Sequence, residues 1–281
     1  RVTNSIIEKL ESGTVPWSRP WKGGASGMPA NLVSKKPYRG FNVFALGLQG
    51  YGSRFWGTYK QLSEQGAQVS KGEKSTPIVF WKFNKEEKGE DGSITRNGFG
   101  FIRYYNVFNL EQTDGYEPEE SKPSEWDPIE GAEKVVKEYE LGPKIRTGED
   151  RAYYVPARDF INMPEKHLFH TAEGYYATLF HEMGHSTGHE NRLNRKTLTD
   201  LCPFGSTNYS KEELVAELSA AMLCGFTGIE NSVIDNSAAY IAGWLKKLRD
   251  DRRLIISAAA QAQKAVDHIL GIKKESEAGG E

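Results

Sequence analysis

His181-Glu182-Met183-Gly184-His185 is an H-E-x-x-H sequence: two imidazoles at positions i and i+4 with a carboxylate between them. On a helix these positions share one face, so both rings can ligate one divalent ion while Glu182 reaches a water on that ion. Such an ion lowers the pKa of its water toward ~7 and polarises a carbonyl. Glu182 is then the candidate general base, taking the water's proton and passing it to a leaving amine. The chemistry is metal-assisted hydrolysis. The pattern predicts a helix over 171–188, with Thr171 as N-cap and Gly188 as C-terminal stop. Tyr176, Leu179, Phe180 and Met183 make its apolar face, and His181 and His185 project from the opposite side. The same residues could instead be two surface histidines on an amphipathic helix.

A catalytic zinc site takes three protein ligands and keeps a fourth position open. The metzincin pattern H-E-x-x-H-x-x-G-x-x-H finds its glycine at Gly188 but meets Asn191 where its third His should stand. His189 follows His185 by one turn, across the Gly188 break. The better candidates lie in Glu212-Glu213-Leu214-Val215-Ala216-Glu217, where Glu213 and Glu217 share a helix face. This spacing resembles the second motif of gluzincin metallopeptidases. The resemblance implies Glu213 as the metal ligand and Glu217 as the carboxylate supporting a ligand His. Ser210 with Glu213 also reads as a capping box, and on that reading Glu217 becomes the third ligand. The expected ion is Zn2+, with Mn2+ or Co2+ as alternatives. Tyr153, Tyr154 and Tyr209 are candidates for a transition-state donor. A strand over 153–161 is a candidate edge for aligning an extended peptide by β-addition.

The elements that must position these groups divide into two halves. The chain has 281 residues, room for about two domains, and a formal net charge of -2. Residues 1–110 carry 16 Lys+Arg against 8 Asp+Glu, and residues 111–281 carry 20 against 30. Of the six Trp, four fall in the first half. Opposite charges on two halves point to two jobs. Mean hydropathy of -0.60 and the lack of a long apolar run exclude a membrane helix. Two Cys are too few for a disulfide framework or a Cys-based zinc site, and Arg1–Leu10 has no apolar signal segment. A cytoplasmic location is expected.

An acidic, Pro-containing stretch at 111–130 reads as a linker between domains 1–110 and 131–272, and 273–281 reads as a disordered tail. In the first domain we expect an amphipathic helix over 3–12, a Gly/Pro-rich loop over 15–30 and a helix over 38–49. Strands over 77–83 and 100–110 flank a hairpin loop over 86–98. In the second we expect a helix over 130–139, a strand over 152–161, helices over 171–188 and 210–224, and one or two helices over 236–270. Strands followed by helices, without regular alternation, predict an α+β fold.

In the basic half, cations interleave with rings: Trp17, Trp21, Lys35, Lys36, Tyr38, Arg39, Phe55, Trp56, Tyr59, Lys60, Lys71 and Lys74. Basic groups track phosphates and aromatic faces stack unpaired bases, so these twelve are candidate contacts to single-stranded nucleic acid. Some of the rings must also build the domain's own core. Residues 66–75 lack G-x-x-x-x-G-K-[ST], which excludes a P-loop there.

Taken together, the chain resembles the ArdC-type antirestriction proteins of conjugative plasmids. The resemblance rests on Pro29-Ala30-Asn31 with Pro37-Tyr38-Arg39-Gly40-Phe41-Asn42, on Trp56 to Leu62 leading to Val69 to Lys74, on His181 to His189 with Arg192-Leu193, on Tyr209 to Glu217, and on Ala238 to Leu245. It implies an N-terminal single-stranded-DNA-binding domain fused to a zincin-like metallopeptidase domain that protects incoming DNA from host restriction. Two alternatives stay open. One is a non-catalytic DNA-binding antirestriction protein with a structural metal. The other is a DNA-tethered protease acting on DNA–protein crosslinks.

Overall fold

Aromatic and β-branched runs in the first part of the chain pair into sheets, and most of the described chain after residue 128 packs as helices. The computed structural model describes residues 2–13, 15, 28–83, 86–88, 94–96, 100–115, 128–199, 207–229 and 238–272. The first part contains α1 (Val2–Glu11), β1 (Ala30–Asn31), α2 (Phe41–Gly47), β2 (Phe55–Gly57), α3 (Tyr59–Glu64) and β3 (Gln68–Val69). It continues with β4 (Thr76–Phe83), β5 (Glu86–Lys88), β6 (Ile94–Arg96), β7 (Gly100–Asn109) and β8 (Thr113–Asp114). The second part contains α4 (Pro128–Glu138), β9 (Lys144–Thr147), β10 (Tyr153–Val155), β11 (Phe160–Met163), α5 (Ala172–Ser186), α6 (Lys196–Thr199), α7 (Thr207–Thr227), α8 (Ala238–Asp250) and α9 (Leu254–Ile269). The α+β expectation holds.

A four-stranded sheet of order β1-β2-β7-β4 organises the first part. β1 runs parallel to β2, and the other pairings are antiparallel, with β4 and β7 in register from Thr76 opposite Val107 to Phe83 opposite Gly100. Where a hairpin loop was expected over 86–98, backbone pairing makes Glu86–Lys88 and Ile94–Arg96 the antiparallel strands β5 and β6. Tyr38, Leu46, Trp56, Ile78 and Val107 form one small core, and Leu32, Leu62, Ala67 and Leu110 a second.

The second part sets a three-stranded sheet, β10-β11-β9, beside the helices α4, α5, α7 and α9. Here the large core gathers Phe180, Met183, Leu214, Leu218, Ile255 and Val266 among others. It also takes in Ile6, Ile7 and Leu10, so α1 packs on α8 of the second part. Thr3 Oγ1 donates to the carbonyl of Arg252 across the same contact. The large hydrophobic core thus joins residues of both parts.

Several boundaries differ from expectation for identifiable reasons. The strand expected over 152–161 is broken into β10 and β11 by a short turn at Pro156–Arg158, which ends at Asp159 with φ 47°. The acidic stretch 111–130 is not all linker: Leu110–Gln112 forms a capped turn, Thr113–Asp114 pairs with β3, and α4 begins at Pro128. Its middle, 116–127, lies outside the described residues, as do 273–281 and most of the loop expected over 15–30. Of the one or two helices expected over 236–270, the chain forms two, α8 and α9, parted at 251–253. β9 was not expected because its four residues are all exposed; backbone pairing with β11 creates it.

Candidate functional site

α5 carries the H-E-x-x-H residues on a helix whose start is fixed by Thr171, whose Oγ1 accepts the Gly174 N–H at 3.0 Å. Tyr176, Leu179, Phe180 and Met183 are buried, as the apolar face requires, and turn the histidines toward α7. Gly184 sets how closely α7 approaches. A Cβ at that position would stand 3.1 Å from the Ala216 Cα and 3.1 Å from the Ser219 Cβ, so only glycine leaves the helices in their present contact.

That contact delivers Glu213. His181 Nε2 and His185 Nε2 are 3.1 Å apart, His185 Nε2 is 3.5 Å from one Glu213 oxygen, and His181 Nε2 is 3.7 Å from the other. Ligand atoms about 2.0–2.2 Å from one tetrahedral ion stand roughly 3.3–3.6 Å from each other, so the triangle fits a divalent ion. Among the described residues, His181, His185 and Glu213 form the one group of three or more ligand-type side chains close enough to hold a metal. Glu217, the alternative ligand, is outside it: its buried carboxylate accepts the Tyr240 hydroxyl. The Ser210–Glu213 capping box is also not formed, because α7 starts at Thr207 and takes Ser210 into the helix. His189 Nδ1 accepts the Asn191 N–H at 3.2 Å and takes no part in the triangle.

Charge is arranged around the pair unevenly. Burial disfavours a proton on His185, but the hydrogen bond to Glu212 and the charges of Glu213 and Glu182 outweigh it and lift its pKa to about 9. Burial, with the neighbouring His185 charge, depresses His181 to about 3. Glu182 is buried and its pKa is raised, first by desolvation and then by Glu213, while His185 and the Tyr154 backbone N–H pull it back. A carboxylate tuned upward beside a metal triangle is the condition for a general base. Of the three tyrosine candidates, Tyr154 gives its hydroxyl to Asp159, and Tyr153 is hydrogen-bonded to Glu149. Tyr209 is hydrogen-bonded to Glu213, with burial and that carboxylate raising its pKa to about 12.

Two participants were missed in the sequence. Glu212 holds the other face of the same imidazole, 3.4 Å from His185 Nδ1, and is itself paired with the buried Arg195. Helical phase was the available signal: Glu212 and Glu213 diverge by about 100° around α7, so neighbouring carboxylates reach different sides of one ring.

The nucleic-acid candidates separate by exposure. Trp56 is 2% and Tyr38 7% exposed, so both rings serve the small core and are corrected here from stacking surfaces to packing residues. Arg39 is exposed, and its guanidinium pairs with Asp267 of α9, across the two parts of the molecule. Lys35, Lys36, Tyr59, Lys60, Lys71 and Lys74 are exposed. Phe55 is half-buried, with Lys35 Nζ 4.5 Å from its ring centre. Trp17 and Trp21 lie outside the described residues. The β4–β7 ribbon adds exposed rings not singled out in the sequence, Phe80, Tyr104 and Tyr105, with Phe80 edge-on to Tyr105 at 5.4 Å. Tyr104 and Tyr105 are adjacent on a strand and must face opposite sides, which was the readable hint.

Residues 1–108 match the family described as the N-terminal domain of anti-restriction factor ArdC, and residues 130–261 match the zincin-like metallopeptidase family. The solved metal-free structure of the antirestriction ArdC protein from the R388 plasmid is 39% identical, with a TM-score of 0.73 over 95% of this chain and 94% of that one. The chain belongs to the ArdC antirestriction family. A second structure of the same ArdC protein is Mn(II)-bound, with a TM-score of 0.73 over 96% of each chain. The zincin-like match and that relative indicate a divalent metal for the ArdC fold. A Sinorhizobium fredii protein, y4eC, is 40% identical over 95% of this chain and 89% of its own length. Two Escherichia coli proteins named DNA primase TraC are 40% and 38% identical over 98% of this chain, which spans only 27% and 20% of their lengths. Among the described residues no helix is long and apolar enough to cross a membrane.

Proposed function

We propose that this ArdC-family protein binds single-stranded DNA through its N-terminal part and carries a divalent-metal active site of the peptidase type, protecting incoming plasmid DNA from host restriction during conjugation. The reading is supported by the antirestriction relative and by the primase names of two others. The observation that carries it is the buried Glu182 beside the triangle of His181, His185 and Glu213. A structural metal is usually closed by four protein ligands and needs no base between two histidines.

His181 Nε2, His185 Nε2 and a Glu213 oxygen are the atoms that hold the ion, Zn2+ first and Mn2+ or Co2+ by the same donors. When bound, a divalent ion lowers the pKa of a coordinated water and polarises a substrate carbonyl. Glu182 accepts a proton at its carboxylate and returns it to the leaving amine, oriented meanwhile by the Tyr154 N–H. Because Tyr154 lies on β10, at the edge of its sheet, an extended peptide laid along that strand has its backbone aligned beside the base. The Tyr209 hydroxyl, next to Glu213, is the donor best placed for developing negative charge on a carbonyl oxygen. On the DNA side, Tyr59, Lys60, Lys71 and Lys74 with Phe80 and Tyr105 supply cations and stacking faces.

A paired substitution tests the two-part reading. With His181→Ala and His185→Ala together, metal uptake and protection of transferred DNA are expected to vanish while single-strand affinity stays within about twofold, because phosphate and stacking contacts lie elsewhere. Protection that survives in this variant would show that the DNA-binding part suffices.

A further inference from the structure

Glu212 is buried and accepts from three directions: His185 Nδ1 at 3.4 Å, Arg195 Nε at 3.0 Å and a second Arg195 nitrogen, and Thr197 Oγ1 at 2.6 Å. Arg195 is buried as well. Its remaining donors reach the Gly184 carbonyl at 2.8 Å, the His185 carbonyl at 3.3 Å and the Thr187 hydroxyl, so it also ties off the C-terminal end of α5. Gly188 leaves the space this requires, since a Cβ there would lie 2.9 Å from Arg195 Nη2. A buried ion pair is a poor way to gain stability, because desolvation of both charges offsets their attraction and apolar replacements often do as well. What this pair does that an apolar pair could not is place a fixed acceptor on His185 Nδ1.

We infer that Glu212, clamped by Arg195 and Thr197, is the positioning residue of the metal site, taking the Nδ1 proton of His185 so that Nε2 presents its lone pair to the ion. The inference rests on the divalent-metal reading above. Glu212 and Glu213 then act on one ring from two sides, one orienting it and the other sharing its metal. An acceptor on the far nitrogen fixes tautomer and ring angle and raises the basicity of the ligating nitrogen; its loss typically weakens metal binding by about 10–100-fold.

The test is calorimetric titration with Mn(II) alone and Zn(II) alone, beside thermal unfolding in chelator, on wild type, Glu212→Gln and the double variant Glu212→Gln with Arg195→Met. Wild type is expected to bind, Glu212→Gln to bind about 10–100-fold more weakly and to lose stability from the uncompensated Arg195. The double variant removes that stranded charge, so its metal-free stability is expected to recover while metal affinity stays low. Affinity that returns with stability, or a Glu212→Gln protein that binds like wild type, would overturn the inference and leave the pair a fold element. A wild type that takes up neither ion would overturn the metal reading beneath it.

Discussion

Asp159 sits at φ 47° in the turn between β10 and β11, where it pairs with Arg192 and accepts the Tyr154 hydroxyl at 2.7 Å. Arg192 in turn donates to the Ser186 carbonyl at 2.7 Å, so one side chain joins the turn to the end of α5. Burial alone would raise the Asp159 pKa, but the Arg192 and Tyr154 hydrogen bonds and the Arg192 charge bring it below the ordinary value. A depressed carboxylate contributes stability that is present above its unfolded pKa, about 3.9, and is lost as pH falls through the folded value. Asn also tolerates left-handed φ, so Asp159→Asn isolates the charge. The variant is expected to lose about 1–2 kcal/mol at neutral pH, a buried pair discounted for the partial exposure of Asp159. Melting curves across pH should bring the two proteins together in acid; a gap that stays constant would mean the charge is not the cause. At this scale the sequence was readable where spacing is local. His181 and His185 needed only helical geometry, whereas Glu212 depends on Arg195, 17 residues away in the chain, and on a helix packing that no spacing announces.

At the scale of elements, the contact between α5 and α7 makes the site, and Gly184 is a point of close approach in it. Gly184→Ala gains helix propensity of about 0.5–1 kcal/mol. It also sets a methyl against the Ala216 backbone, where the obstacle is not a flexible side chain. The separation this forces is expected to leave a net loss of about 1–2 kcal/mol. The same shift moves Glu213 from the histidines, so metal affinity should fall more than stability explains, as paired calorimetry and thermal melts would show. Unchanged affinity would mean that Glu213 follows by side-chain rotation. The amphipathic helices were readable from their periodicity. The two-residue strands β1, β3 and β8 and the exposed β9 were not, because their pairing partners, not their side chains, define them.

For the whole molecule, the contrast of a basic first half with an acidic second half described composition more faithfully than architecture. α1 is built into the second part's core, and Arg39 is tied to Asp267 while the Gly40 N–H donates to Gln263 at 2.8 Å. Arg39→Ala is therefore expected to reduce stability by about 0.5–1 kcal/mol and leave single-strand affinity nearly unchanged. Tyr59→Ala should reduce that affinity by about 5-fold or more, as lost stacking does. Fluorescence anisotropy with a labelled oligonucleotide separates the two, and a reversed order would make Arg39 a DNA contact in place of Tyr59. The central claim is that the metal site works as an active site, with Glu182 as its base. The most direct measurement is protection of transferred DNA by Glu182→Gln, alongside its Mn(II) and Zn(II) affinity. Metal binding within a few-fold of wild type, with protection reduced by about 100-fold or more, is the predicted result, since the ligands remain and the base is gone. Full protection by a metal-loaded Glu182→Gln protein would contradict it.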